Sequence, residues 1–299
     1  MQDQLWVVTA YFNWCHYESK LKNYNCFKEN LAKANINLLT VECALTNDQF
    51  ELCDENVIHV RTNSLLWQKE RLLNVALCAL PPHCKYVAWL DCDLLFDASS
   101  WEDKVSCLLQ RHIAVQLFDT VWRQAKGEPF SSPRTRVDQG LVAHHQMNGE
   151  TSRTAGKGHP GFAWAARREI ISETGLYDKG VVGGADRLIA LAWIGNLTSA
   201  LLERVLPPKA LSHFSAWMQD SFKPNQGSIG FLPETIFHLW HGEQADRSYN
   251  ERHEALKRWD FDPSLDIRKN SDSCWEWCSN KVELHEWVAA YFANRKEDG

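Results

Sequence analysis

Two carboxylates one residue apart follow an unbroken apolar run in Trp89-Leu90-Asp91-Cys92-Asp93-Leu94. If the chain stays extended, side chains at i and i+2 point to the same side, with Cα atoms roughly 6–7 Å apart. Like charges held there repel by up to about 4 kcal/mol at contact in a partly screened setting. A divalent cation removes that penalty, and oxygen donors suit Mg²⁺ or Mn²⁺; a solvated acidic turn is the competing reading. Further on, Gly180-Val-Val-Gly183-Gly184-Ala-Asp186 puts an acid at a helix start after a glycine-rich turn. Asp there serves as a base or as an N-cap. In Phe237-His238-Leu-Trp-His241-Gly242, two imidazoles three residues apart stand beside a glycine. They read as a ligand turn or as two ordinary buried histidines.

The elements that must position these residues alternate between strand and helix. Leu5–Thr9, Leu38–Val41, Val57–Val60, Tyr86–Leu90 and Ala114–Phe118 are short apolar runs. Between them, Tyr17 to Ala34 and Ser64 to Leu80 carry apolar residues at steps of three and four, and Pro81-Pro82 stops the second. Tyr86–Leu90 shows no polar alternation, which predicts a central strand covered on both faces. The pattern predicts an α/β class with a mostly parallel central sheet. Ligands of such sheets bind at the carboxyl ends of the strands, where Asp91 and Asp93 fall. Gln124 to Pro160 reads as a long functional loop. Helical patterns return at Ala165–Thr174, Asp186–Ile194, Ser199–Leu206 and Leu284–Tyr291. The acidic Glu297-Asp298 after the last argues against membrane docking.

With 299 residues, 44 % of them apolar and 23 % charged, the chain can bury a full core without a disulfide or zinc staple. Its 32 Lys and Arg against 38 Asp and Glu, a net charge of −6, argue against a protein that coats nucleic acid, though not against a local basic groove. The ten cysteines form no Cys-x-x-Cys pair, which fits a reducing compartment. Cys274 and Cys278 are expected as helical neighbours. No apolar run approaches the roughly 18–20 residues of a bilayer span, and Met1-Gln-Asp-Gln resembles no signal peptide. The expectation is a cytoplasmic chain in which the Asn196-Leu-Thr198 sequon is idle.

Taken in order, Asp91-Cys-Asp93, Gly183-Gly184-Ala-Asp186 and His238-Leu-Trp-His241-Gly242 resemble the GT-A-fold, nucleotide-sugar-dependent glycosyltransferases. The stretch Gly158-His-Pro-Gly161-Phe-Ala-Trp164 is similar to the glycine-and-aromatic segment of galactosyltransferase-like and family-2-like members. Ala185 departs from the Glu-Asp pair common there. The resemblance implies a Rossmann-related α/β/α sandwich over residues 1–245, with 246–299 a C-terminal helical extension packed on it. It implies transfer from a nucleotide-sugar, foremost a UDP-sugar, to an acceptor hydroxyl with inversion, using Mn²⁺ or Mg²⁺. By that resemblance Asp91, Asp93, His241 and His238 are metal ligands, with Asp93 the more direct of the two acids, and Asp186 is the catalytic base. Donor contacts fall to Thr9, Ala10, Tyr11, Glu42, Lys69, Arg71, Asn74, Asp91, Cys92 and Gly161, and acceptor contacts to Trp164 and Gly184. Lys69 or Arg71 suits a diphosphate and Asn74 a base or ribose.

Three other readings compete. Sugar-phosphate nucleotidyltransferases use a similar sheet, but no glycine-rich phosphate loop follows Leu5–Thr9. A non-catalytic carbohydrate-binding relative would suit the 14 tryptophans, and the intact acids count against it. A glycosyltransferase acting on a modified DNA base would use the basic stretch that includes Arg134, Arg136, Arg153 and Lys157. The acceptor is otherwise open among glycans, proteins and small molecules.

Overall fold

The computed structural model describes residues 4–97, 101–148, 157–195, 197–221, 228–249 and 251–299. Arg153 and Asn196 lie outside the described residues. The central sheet is built from β1 (Leu5–Phe12), β2 (Asn37–Leu45), β3 (Val57–Thr62), β4 (Tyr86–Leu90), β6 (His112–Gln116), β9 (Ala163–Arg167) and β10 (Ser228–Phe231). Their order is β10-β6-β9-β4-β1-β2-β3. Six strands run one way; β9, between β4 and β6, runs against both. This is a mixed α/β fold with a mostly parallel sheet. As expected, β4 lies at its centre: Val87 and Trp89 enter the apolar cluster on one face, Ala88 and Leu90 that on the other. Helices α1 (Glu18–Lys33) and α2 (Lys69–Ala79) connect the first strands, and the buried Tyr24, Phe27 and Leu31 of α1 share a cluster with Leu5 and Val7 of β1.

A second sheet of four strands, β5 (Leu94–Phe96), β11 (Thr235–His238), β7 (Thr120–Arg123) and β8 (Arg136–Gln139), extends from the carboxyl end of β4. The chain leaves β4, passes Asp91 to Asp93 and enters β5 at once. Antiparallel pairing sets Leu94 opposite His238, and the Leu239 amide donates to the Asp93 carbonyl (2.9 Å). Residues some 145 positions apart are thereby held together by backbone bonds.

Five expectations change. Ala165–Thr174 is not one helix: Ala163–Arg167 forms β9, and only Arg168–Ser172 is helical. The Ala-Trp-Ala-Ala run has good helix propensity, but two open strand edges claim its backbone, and Trp164 sits opposite Trp89 with stacked rings. The helix expected from Ser64 begins at Lys69, because Ser64 and Gln68 bond the backbone of a hairpin formed by β12 (Ile267–Lys269) and β13 (Trp275–Trp277). That hairpin also separates Cys274 and Cys278, which are not helical neighbours, and the extension 246–299 is therefore not purely helical. Finally, the stretch 124–160 contains β8 and the helix Leu141–Asn148. No helix among the described residues is long and apolar enough to cross a membrane.

Candidate active site

At the carboxyl end of β4 and β1 the two sheets and the C-terminal segment enclose a cleft of about 1280 Å³. Among its described lining residues, eleven Lys and Arg outnumber seven Asp and Glu. That local excess of positive charge, in a chain of net charge −6, favours an anionic ligand.

Asp93, His238 and His241 converge on one point, with their ligand atoms within 4.8 Å of one another. His241 Nε2 lies 3.2 Å from Asp93 Oδ2 and 3.0 Å from His238 Nε2; His238 Nε2 lies 3.7 Å from Asp93 Oδ1. Asp93 Oδ1 is buried without a hydrogen-bond partner, a cost that a bound cation would relieve. One carboxylate and two imidazoles suit Mn²⁺ better than Mg²⁺, which takes mainly oxygen ligands.

Burial, reinforced by Arg123 and Arg247, holds His238 well below the usual imidazole range. Burial and then Arg247 lower His241 to about 4. Arg247 donates to His241 Nδ1 (2.8 Å), so the neutral ring carries its proton on Nε2, toward Asp93. Behind it stands the Glu297 carboxylate, its Oε1 3.7 Å from Nδ1 and placed to accept a hydrogen bond when the ring proton moves to that nitrogen. Burial raises the Glu297 carboxyl, but Lys20 and Arg295 outweigh it and hold the group well below the usual range. Of the expected acidic tail, Glu297 is thus a buried part of the site, whereas Asp298 is exposed and accepts from the Glu18 and Ser19 amides at the start of α1; a Cβ on Gly242, at φ 93°, would lie 3.1 Å from the Glu297 Cα.

Asp91 stands apart from this cluster. Its Oδ1 pairs with Lys69 Nζ at 2.6 Å, at the first turn of α2. Burial, then the neighbouring Asp93, push the Asp91 carboxyl up to about 6 against the pull of Lys69. Lys69 is lowered by burial and raised further by Asp91 and Asp186, ending above its ordinary value. Cys92 also lines the cleft; burial and Asp93 push its thiol up to about 12, unsuited to a nucleophile.

Asp186 is the second residue of α6 (Ala185–Trp193), and the cap position is Gly184, at φ 90°. Capping therefore does not account for Asp186. Its Oδ1 accepts from the Arg187 amide (2.7 Å), and its Oδ2 occupies the space a Cβ at position 161 would need, 2.3 Å from that atom. Gly161 is thus required by the carboxylate beside it. Next in the chain, Phe162 takes φ 76°, a rare backbone state for a bulky residue, and stacks on His159.

Of the other expected contacts, Ala10 and Gly184 line the cleft; six do not. Thr9 is buried, donating to the Leu90 carbonyl (2.7 Å). Tyr11 bonds Glu51, and Glu42 accepts from the Glu51 and Leu52 amides, so both order the loop after β2. Arg71 and Asn74 reach Asp178 (2.8 and 3.1 Å) and tie α2 to the segment before the glycine turn. Trp164 is 4 % exposed, a core side chain whose indole donates to the Pro160 carbonyl. Residues the sequence reading passed over include His159, Arg247, Arg252 and Glu297. Only His159, inside Gly158-His-Pro-Gly161, lay within a motif that could have flagged it.

No family model and no curated protein matches the sequence. Among solved structures the chain is similar to the catalytic domain of Drosophila beta1,4-galactosyltransferase 7 complexed with xylobiose. Identity is 10 %, coverage 95 % of this chain and 98 % of that one, and the TM-score 0.41. A mutant of that enzyme complexed with manganese, UDP-Gal and xylobiose gives the same values. The chain is also similar to 4-diphosphocytidyl-2C-methyl-D-erythritol synthase from Anaerococcus prevotii, at 11 % identity, 78 % and 88 % coverage and a TM-score of 0.36.

Proposed function

We propose that this protein transfers a sugar from a nucleoside diphosphate sugar, foremost a UDP-sugar, to an acceptor hydroxyl with inversion at the anomeric carbon. The observation that carries the reading is the convergence of Asp93, His238 and His241 in a cation-rich cleft that also holds Asp186. A divalent cation on those three residues, Mn²⁺ or Mg²⁺, supplies Lewis acidity toward the departing diphosphate. Asp91 orients Lys69, whose ammonium neutralises charge between the cluster and Asp186. Arg247, beside His241, adds a second fixed cation on the diphosphate side.

Asp186 takes the proton of the acceptor hydroxyl; that oxygen bonds to the anomeric carbon as the bond to the diphosphate breaks. Ala10 of β1 and Cys92 form the donor floor, while Gly161 makes room for the Asp186 carboxylate and Gly184 for the Arg252 guanidinium.

UDP release from a panel of UDP-sugars tests this reading, with water as acceptor until a better one is found. Asp186→Asn should fold and bind UDP with Mn²⁺ yet release UDP about 10²–10⁴-fold more slowly. A parental rate in that variant, or a product of retained configuration, contradicts it.

A further inference from the structure

We infer that the acceptor side of the cleft is built to receive an anionic group, a phosphate or a carboxylate, against Arg252; this rests on the reading of Asp186 as the acceptor's base. Arg252 belongs to α9 (Glu251–Arg258), in the C-terminal segment, and is only 8 % exposed. Its guanidinium lies against the glycine turn: a Cβ on Gly184 would meet Nη2 at 3.1 Å, and one on Gly183 would meet Nη1 at 3.4 Å. It therefore stands two residues from Asp186.

Buried guanidinium groups elsewhere in this protein sit on carboxylates, Arg71 on Asp178 and Arg295 on Glu297. Among the described residues, none lies within ion-pair distance of Arg252. Its Nη1 reaches only the Tyr291 hydroxyl (3.3 Å), already shared with Arg295 (3.0 Å), and its Nε is buried without a hydrogen-bond partner. The Tyr249 ring, 4.9 Å away, offers its face. One hydroxyl shared with Arg295 and an aromatic face are a thin complement for a buried guanidinium, which ordinarily pairs with an anion.

Arg247 and Arg252 differ in what their guanidinium groups touch. Arg247 contacts His241 and serves the metal cluster, whereas Arg252 contacts the turn that leads to the base. Arg204, exposed on α7 (Ser199–Val205), and His253 line the same wall of the cleft. Glu254 also lines it and is paired with Lys257 (3.2 Å). A planar guanidinium with free donors binds phosphate or carboxylate in two-point fashion.

The test titrates phenyl phosphate, benzoate and neutral phenol into the full chain holding saturating UDP and Mg²⁺, read by calorimetry. One or both anions should bind at least tenfold more tightly than phenol, which also distinguishes phosphate from carboxylate. Arg252→Gln should remove that difference without changing UDP affinity, and Arg252→Lys should keep part of it. If Arg252→Gln does not fold, Arg204→Gln, altered at an exposed side chain, should weaken anion binding severalfold. Displacement of UDP by the anions, or unchanged anion binding in Arg252→Gln, overturns the proposal. Arg252-dependent anion binding in a protein that fails to bind UDP would uphold the anion site and remove the donor reading instead.

Discussion

Gly161→Ala separates the position of Asp186 from its chemistry. The added Cβ would lie 2.3 Å from Asp186 Oδ2 and 3.4 Å from His159 Cε1, so the carboxylate must retreat by about 1 Å to reach ordinary contact. Position 161 is not among the glycines of positive φ, so the backbone itself accepts alanine. Turning the Asp186 side chain disturbs one hydrogen bond, to the Arg187 amide, worth about 1 kcal/mol. The lower chain entropy of the unfolded alanine variant offsets about 0.4–1 kcal/mol of that. Stability should therefore change by less than about 1 kcal/mol. A reacting group misplaced by about 1 Å costs on the order of 10²-fold in rate. Melting temperature, UDP–Mn²⁺ affinity and UDP release should be measured on one preparation. The expected result is an unchanged fold, unchanged donor affinity and a rate about 100-fold lower. A rate within about threefold of the parent would refute the placement of Asp186 at the reacting oxygen.

Other outcomes follow from the same geometry. Because His238 and His241 are held neutral, the folded cation-free protein binds fewer protons than the unfolded chain below about pH 6.5. Their contribution is present above that pH and lost as pH falls toward about 4, by at most about 3 kcal/mol for His241; denaturant titrations from pH 8 to 4 should show a smaller slope in His241→Ala. Cation binding should persist below the pH 6.5 expected from free imidazole and weaken nearer pH 4; a midpoint at 6.5 in calorimetry would contradict the burial argument. Glu297→Gln should lower Mn²⁺ affinity about 10-fold or more, since it removes the carboxylate charge behind His241 Nδ1. Trp164→Ala should cost about 3–5 kcal/mol of stability, seen as a lower denaturant midpoint, with no selective rise in acceptor KM.

The sheet was legible where apolar runs exceed what a solvated chain would carry: Leu5–Thr9 and Tyr86–Leu90 lie inside β1 and β4, and β4 is central. Ala163–Arg167 was not, because alanine favours helix locally and only the flanking strand edges make it a strand. Asp93, His238 and His241 do meet, and the pairing of β5 with β11 explains why spacing in sequence was no obstacle. Arg71 and Asn74 share the helix of Lys69, yet they reach Asp178 rather than the cleft. Helical periodicity cannot reveal that, because it depends on what the segment before the glycine turn presents. Arg252 and Glu297 had no local signal at all: their position arises from the C-terminal segment folding over the cleft.

Calorimetric titration of the protein with Mn²⁺ at pH 7.5, with and without UDP, decides whether Asp93, His238 and His241 hold a divalent cation. The expected result is one site per chain, tighter UDP binding once Mn²⁺ is present, and loss of both in Asp93→Asn and in His241→Ala while the fold persists. Equal Mn²⁺ and UDP affinity in the parent and in both variants would contradict it.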